Sequence, residues 1–281
     1  MIFDVHADSL TPYVERQQLL TEYLLRRVMD GPNTRDPNAA GRLRTIVHGA
    51  GGCGKSVVLR ALAHQLRSAG KGVLIAAPTG VAAANVNGAT LHSLCSLPVT
   101  NQSYGRACNV PPPSGVHLEN MKALWRHVDV LLIDEISFVS AQMLEKISRH
   151  LQLARGNILP FGGVHVVVFG DLYQLPPPKG HPCYRSKTWE LFELCELDGN
   201  QRAARDPDWA ALLARLRVGE QTRADIATLK GRVAKKRGGQ LEPAPAPGAV
   251  RLYAEREAVE KSNSQFLEKH VKHAGHQKEE C

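Results

Sequence analysis

Residues 49–56 read Gly-Ala-Gly-Gly-Cys-Gly-Lys-Ser, and this octapeptide constrains the fold more than any other stretch of the chain. It satisfies G-x-x-x-x-G-K-[ST], follows directly on the apolar run Thr45–His48 and opens the helical pattern VVLRALAHQLR. Gly49, Gly51, Gly52 and Gly54 let the backbone curl until its N–H groups face an anion, and the start of a helix adds favourable partial charge at the same place. Lys55 is then expected to reach the β- and γ-phosphates of ATP, with Ser56 holding Mg²⁺. A glycine-rich turn can match such a pattern by accident. Here strand, loop and helix occur in the required order, which implies a P-loop NTPase of the α/β class.

Hydrophobic patterning supports that architecture. Four short runs, Thr45–His48, Val73–Ala77, Val130–Asp134 and Val164–Gly170, are rich in Val, Ile or Leu and lack strict alternation, as strands buried on both faces of a parallel sheet do. Helical patterns at Lys55–Arg67 and Ala141–Ala154 lie between them, so the chain reads as βαβ units in a doubly wound sheet with helices on both faces. Upstream, 13–29 has helical spacing (Leu19, Leu20, Tyr23, Leu24, Val28) and leads into a turn-forming stretch from Asp30 to Gly41. Pro, Ser, Asn and Gly dominate between Ser96 and Asn120, which reads as an inserted loop or small subdomain. The Pro-rich 238–248 reads as a linker or surface loop, followed by a strand-like Val250–Tyr253 and a helical Arg256–Lys272.

A second element fits the phosphate loop. The buried run VDVLLIDE delivers Asp134 and Glu135 to the carboxyl end of a strand, the edge of an open α/β sheet where ligands bind. Asp134 is placed to coordinate Mg²⁺ through water, and Glu135 to orient or deprotonate an attacking water. A lone Asp-Glu at a strand end is commonly just solvated; its pairing with 49–56 makes it chemical.

Charge narrows the partners only slightly. A formal net charge of +8 and a pI near 9.3 suit a polyanion such as nucleic acid, but also a generic basic protein. No apolar run is long enough to cross a bilayer, and the acidic N-terminus lacks the form of a secretion signal, so the expectation is an intracellular protein with no membrane partner. The six cysteines (Cys53, Cys95, Cys108, Cys183, Cys195, Cys281) show no metal-ligand spacing and read as free thiols.

The segment AAPTGVAAANVNGATLHS at 76–93 resembles the Pif-one branch of superfamily-one DNA helicases, including helicase domains of Helitron-type transposons. DEISFVSAQMLEKISRHLQ from Asp134 and PFGGVHVVVFGDLYQLPPP at 160–178 look like that family's own signatures. The resemblance implies a RecA-like first motor domain over 1–200, and 201–281 as the incomplete start of a second RecA-like domain. It implies that Thr79, Gly80, His92 and Ser93 lie along single-stranded DNA. Gln174 corresponds to a glutamine that senses the γ-phosphate, a task an amide suits because it both donates and accepts. Arg202 stands at the arginine-finger position, with Arg205 its nearest competitor, and Gln17 fits an adenine-reading glutamine, with Gln18 one residue away. Asp171 and the prolines after it equally suit shaping a turn; Phe161 and Tyr173 can stack on bases, although buried packing is the commoner role for either.

The chain departs from the family at Cys53, commonly threonine, where thiol sensitivity enters, at Gln201, usually aromatic, and at Arg256, commonly asparagine. The family's later motifs have no counterpart after Lys272, so the resemblance covers nearly all of this chain but only about the first half of the motor. It implies an ATP-dependent helicase moving 5′→3′ on single-stranded DNA, acting on duplex DNA and serving repair, recombination or telomere maintenance, in the nucleus or mitochondrion of a eukaryote. A missing C-terminal domain or second polypeptide would complete it. Two rivals are an ATP-binding module that holds single-stranded DNA without unwinding, and a P-loop ATPase acting on a protein partner.

Overall fold

The computed structural model describes residues 13–30, 41–97, 112–199, 206–233, 235–237, 240–242 and 250–276. The chain divides into two compact units, Met1–Glu220 and Gln221–Cys281.

The first unit is built on a six-stranded sheet in the order β3-β2-β4-β5-β1-β6, every neighbouring pair parallel. Its strands are β1 (Arg44–His48), β2 (Val73–Ala77), β3 (Ala89–Thr90), β4 (Val130–Ile133), β5 (His165–Gly170) and β6 (Glu193–Glu196). Alternate residues of the central strands serve opposite faces. Leu131 and Ile133 of β4 and Val166 and Val168 of β5 join one apolar cluster, while Val130, Leu132, Val167 and Phe169 join the other. That division explains why these strands read as unbroken apolar runs.

Helices α1 (Tyr13–Met29) and α2 (Lys55–Ser68) cover the second face through Leu20, Leu24, Val28, Val58, Leu59, Leu62 and Leu66. The first face is covered by α5 (Gly115–Trp125) and α6 (Ala141–Arg155) through Met121, Trp125, Met143, Leu144, Ile147 and Leu151. Helix α6 has clear local signals at both ends: the Ser140 hydroxyl accepts the Met143 N–H at 3.2 Å, and Gly156 terminates it at φ 63°. Short helices α3 (Gly80–Asn85) and α4 (Leu91–Leu94) follow β2 and β3, each capped by a threonine, Thr79 accepting from Ala82 N–H and Thr90 from Ser93 N–H. Helix α7 (Pro207–Val218) starts on Asp206, which accepts the Trp209 N–H, and stops at Gly219.

Several expectations are corrected. The irregular stretch forecast over 96–120 gives way at Gly115 to α5, whose Trp125 is fully buried and donates to Leu94 O at 2.9 Å; residues 98–111 lie outside the described residues. Strands β3 and β6 were not foreseen. Both are edges of the described sheet; β3 is two residues long, and the glutamates at the two ends of β6 are tolerated where no described strand lies on one side. The first compact unit runs through Glu220, so α7 belongs with the sheet rather than with the residues after 200.

The second unit contains α8 (Arg223–Gly231), a short antiparallel pair β7 (Lys235–Arg237) and β8 (Gln240–Glu242), and α9 (Arg256–His276). A reciprocal capping box between Thr222 and Asp225 starts α8. Part of the expected linker is therefore a strand, since 240–242 pair with 235–237. Val250–Tyr253 forms no strand: Val250 and Leu252 are about nine-tenths exposed, and no described strand pairs with them.

Candidate functional site

Because all six strands run parallel, their carboxyl ends share one edge, and the loops leaving β1, β4 and β5 meet there. The β1 loop is Gly49–Ser56. Gly52 and Gly54 sit at φ 88° and 85°, the left-handed region that glycine enters without strain, and Gly54 caps α2. Gly49 is required for a different reason: a Cβ there would come within 2.3 Å of Leu197 O and 2.6 Å of Cys53 Sγ. The Lys55 ammonium lies back over the loop, donating to Gly49 O at 2.7 Å and Ala50 O at 3.0 Å. It thus stands at the mouth of the loop, with a charge available to an anion held there.

Asp134 follows β4 directly and is only 6% exposed. Burial pushes its carboxyl above the usual range, opposed by the Glu135 N–H, the nearby Lys55 charge, a Ser56 hydroxyl hydrogen bond and Arg60. Two hard oxygen ligands, the Ser56 hydroxyl and the Asp134 carboxylate, are therefore already together, a donor set that fits Mg²⁺. Glu135 is held at φ 54°, ψ 48°, a left-handed conformation uncommon for a residue with a Cβ. Its strained backbone turns the chain sharply at the strand end, the kind of strain that concentrates at functional sites.

The β5 loop brings Gln174 to the phosphate loop, with its Nε2 3.8 Å from the position of a Cβ on Gly51. Gln17 approaches from α1: it is buried, and its Nε2 donates to Cys53 O at 3.4 Å, whereas Gln18 faces solvent. Thr79 and Gly80 are exposed after β2, and Ser93 is exposed beside a half-buried His92 after β3. Burial holds the His92 imidazole below its usual pKa. These four residues occupy the β2–β3 end of the edge whose β1–β5–β4 end carries Lys55, Ser56, Asp134, Glu135 and Gln174.

The PIF1-like helicase family model matches residues 38–211. The chain belongs to the PIF1-like helicase family. ATP-dependent DNA helicase RRM3 of Saccharomyces cerevisiae is 31% identical over 237 residues, an alignment covering 81% of this chain and 32% of that protein. The crystal structure of Pif1 helicase from Candida albicans matches with a TM-score of 0.66 at 29% identity, covering 89% of this chain and 54% of that one. The structure of Bacteroides Pif1 bound to ssDNA matches with a TM-score of 0.69 at 25% identity, covering 91% and 56%. This chain thus spans about a third of the length of its curated relative RRM3.

In this PIF1-like chain the sequence reading missed a cluster beside the phosphate loop. Asp171, just after β5 and 2% exposed, receives both Nη2 and Nε of Arg217 from α7, at 2.7 and 3.1 Å. His48, the last residue of β1, lies 3.6 Å from carboxylate oxygens of Asp171 and Glu196. Burial first, then the Arg217 charge, lowers its pKa, against the pull of the two carboxylates. His48, Asp171, Glu196 and Arg217 are distant in sequence; only the strand ends and α7 bring them together.

Two expectations change in the folded protein, those for Tyr173 and Cys53. Phe161 packs as expected, fully buried and edge-on to Phe192 at 5.8 Å, but Tyr173 does not: it is 60% exposed, with the Arg217 guanidinium 4.5 Å from its ring centre. Asp171 does shape its turn, accepting the Tyr173 N–H at 3.0 Å, and also carries an ion pair. The Cys53 thiol is fully buried and burial raises its pKa, so it lacks the exposed thiolate that thiol sensitivity requires. Cys53, Cys95, Cys183 and Cys195 are free thiols, and the described residues contain no His/Cys/Asp/Glu group able to hold a metal by itself. None of the described helices is long and apolar enough to cross a membrane. Gln201, Arg202 and Arg205 lie outside the described residues.

Proposed function

We propose that this chain is the nucleotide-binding lobe of an ATP-dependent DNA helicase that moves 5′→3′ along single-stranded DNA and separates duplexes. The observation that carries this reading is the shared sheet edge, where Lys55, Ser56, Asp134, Glu135 and Gln174 occupy one end and Thr79, Gly80, His92 and Ser93 the other. Such an arrangement allows a change at the phosphates to be felt at a bound strand. The names of the relatives, and a similar structure bound to ssDNA, support the same reading.

When bound, ATP supplies the phosphoanhydride to be hydrolysed and Mg²⁺ offsets charge on its oxygens. In this reading the Lys55 ammonium leaves the loop carbonyls for the β- and γ-phosphates. Ser56 and Asp134 hold the metal, Glu135 takes the proton from the attacking water, and Gln174 contacts the γ-phosphate. Arg202 serves as the arginine finger, worth roughly 10³–10⁵ in rate where such residues act. Gln17 reads the adenine edge, and its burial against Cys53 O, with Gln18 in solvent, favours it of the two. The unit through Glu220 is the first RecA-like motor domain and the residues after it the start of a second; a further domain or polypeptide completes the motor. Work on DNA places it inside the cell, in the nucleus or mitochondrion of a eukaryote, with repair, recombination or telomere maintenance as the family role.

In a second reading this lobe holds its ligands but does not step, since stepping along a strand needs two lobes that close on ATP and open on release. On that reading the chain binds nucleotide and single-stranded DNA without unwinding. ATP hydrolysis measured with and without single-stranded DNA, for the wild-type chain and Lys55→Ala, separates the two. DNA-stimulated turnover abolished in Lys55→Ala supports the motor; DNA binding without turnover supports the module. Binding that follows phosphate contacts weakens with salt at a log–log slope near −0.7 per contact, and a flat response contradicts a DNA site of either kind.

A further inference from the structure

We infer that Asp171 and Arg217 form a positioning pair that holds Gln174 against the phosphate loop, making recognition of the terminal phosphate dependent on α7. The inference rests on the nucleotide-site reading above and adds residues to it.

Asp171 is the hub of the β5 loop. Its carboxylate accepts the Tyr173 N–H at 3.0 Å, and its carbonyl accepts the Gln174 N–H at 3.1 Å, so the turn carrying the glutamine is tied to it twice. The same carboxylate takes the planar fork of Arg217, Nη2 on Oδ1 and Nε on Oδ2, a two-bond geometry that fixes orientation as well as distance. The guanidinium also lies over the Tyr173 ring, whose centre is 5.9 Å from that of His48, the residue preceding the phosphate loop. On the nucleotide side, the Gly49 N–H donates to Gly170 O at 3.3 Å, joining the start of the loop to the end of β5. The Gln174 amide stands over Gly51. A continuous set of contacts therefore runs from α7 through Arg217 and Asp171 to the glutamine and the phosphate loop.

Arg217 does not suit the part of an arginine finger, because its Nε and Nη2 are committed to a carboxylate that is almost wholly buried. Burial by itself would raise the Asp171 carboxyl. Arg217, the Tyr173 N–H and His48 outweigh it and hold the group ionised below the usual carboxylate range. Removing the guanidinium leaves a buried carboxylate whose remaining partner at ion-pair distance among the described residues is His48, at 3.6 Å, without the two-bond fork that fixes the turn. The turn must then rearrange to hydrate Asp171, and Gln174 moves with it. Lysine restores the charge but not the fork.

The test measures affinity for a non-hydrolysable ATP analogue and for ADP, both with Mg²⁺, using the full chain as wild type, Arg217→Ala, Arg217→Lys, Gln174→Ala and the Arg217→Ala/Gln174→Ala double variant. We expect the wild type to favour the triphosphate. Arg217→Ala and Gln174→Ala each lower that preference about tenfold, the worth of one hydrogen bond to a charged group, with ADP affinity unchanged. The double variant is no worse than Gln174→Ala alone, because the two residues act through one contact. Arg217→Lys falls between wild type and Arg217→Ala, and carries the test if the alanine variant does not fold. An unchanged preference in Arg217→Ala overturns the inference; so does a double variant that loses the product of the single effects, or an equal loss for ADP and triphosphate, which marks a merely structural role. A wild-type chain that binds neither nucleotide removes the site reading and the pair's role together. Wild-type binding with an intact preference in Arg217→Ala removes the pair's role alone.

Discussion

Single residues at this site are arranged against their own stability. Asp134 is buried deeply enough that its carboxyl is pushed above the usual range despite Lys55, Ser56 and the Glu135 N–H, so the ionised form needed for a metal costs free energy in the folded chain. A raised folded-state pKa means the folded protein prefers the protonated form, and stability is lost as pH rises from the ordinary carboxylate value through the raised one. Asn at this position is neutral and still accepts the Glu135 N–H. Asp134→Asn is therefore expected to melt at the same temperature as wild type or higher at pH 7, while losing the Mg²⁺ dependence of nucleotide binding. A drop of several degrees in thermal unfolding would contradict this account. Glu135 shows the same conflict in its backbone, since a non-glycine residue at φ 54° carries strain.

At the scale of elements, α1 shows which interactions attach a helix to the sheet. Gln17, Leu20, Leu24 and Val28 recur at helical spacing and all are buried, so one stripe both fixes the helix and presents its amide to the phosphate loop. Arg27 also bonds Glu193 of β6, with Nη1 3.0 Å from Oε2, but both side chains are about two-fifths exposed. Exposed ion pairs contribute under about 1 kcal/mol, whereas a fully buried leucine cut to alanine costs about 2–5 kcal/mol. Chemical denaturation is accordingly expected to show a large loss for Leu24→Ala and a small one for Arg27→Ala. The reverse ranking would mean that α1 is held by its edge contact rather than by the apolar stripe. Helix α7 is the opposite case: Leu212 is its only buried hydrophobic residue, and Arg217 near its C-terminus bonds Asp171 of the β5 loop.

At the scale of the whole molecule, burial makes several histidines harder to protonate than in the unfolded chain. His48, His92, His150 and His165 are each held below the ordinary histidine pKa, chiefly by burial, and His165 is lowered to about 4. At His165 the Leu43 N–H donates to Nδ1 at 3.0 Å; Arg42, Lys71 and Arg44 oppose a positive charge on the ring, and Asp129 alone favours it. A histidine whose folded pKa lies below its unfolded value is harmless above pH 6.5, where both states are neutral. As pH falls from there toward 4, the unfolded state gains protons that the folded state refuses, and stability is lost. For His165 alone the loss reaches about 3 kcal/mol by pH 4. Unfolding free energy measured across this range is expected to fall steeply, and less steeply in His165→Asn, which keeps an acceptor near Nδ1. Equal slopes in the two proteins would assign the acid sensitivity elsewhere.

The octapeptide at 49–56, the Asp-Glu pair and the four central strands were legible in the sequence because local patterns encode them: a loop that must curl, a strand end, and apolar runs buried on both faces. Edge strands β3 and β6 were not, since an edge needs less apolar character and β3 is only two residues long. Nor does sequence separation reveal that Arg217 meets Asp171, or that His48 lies between Asp171 and Glu196. Adjacent glutamines 17 and 18 look alike in the sequence, and burial of one helix face alone distinguishes them. The sequence by itself thus determined the glycine-rich loop with its lysine and serine and the strand ending in Asp-Glu, through short-range spacing. Which side chains support those groups was decided only by the tertiary structure, because parallel strands bring distant segments to one edge.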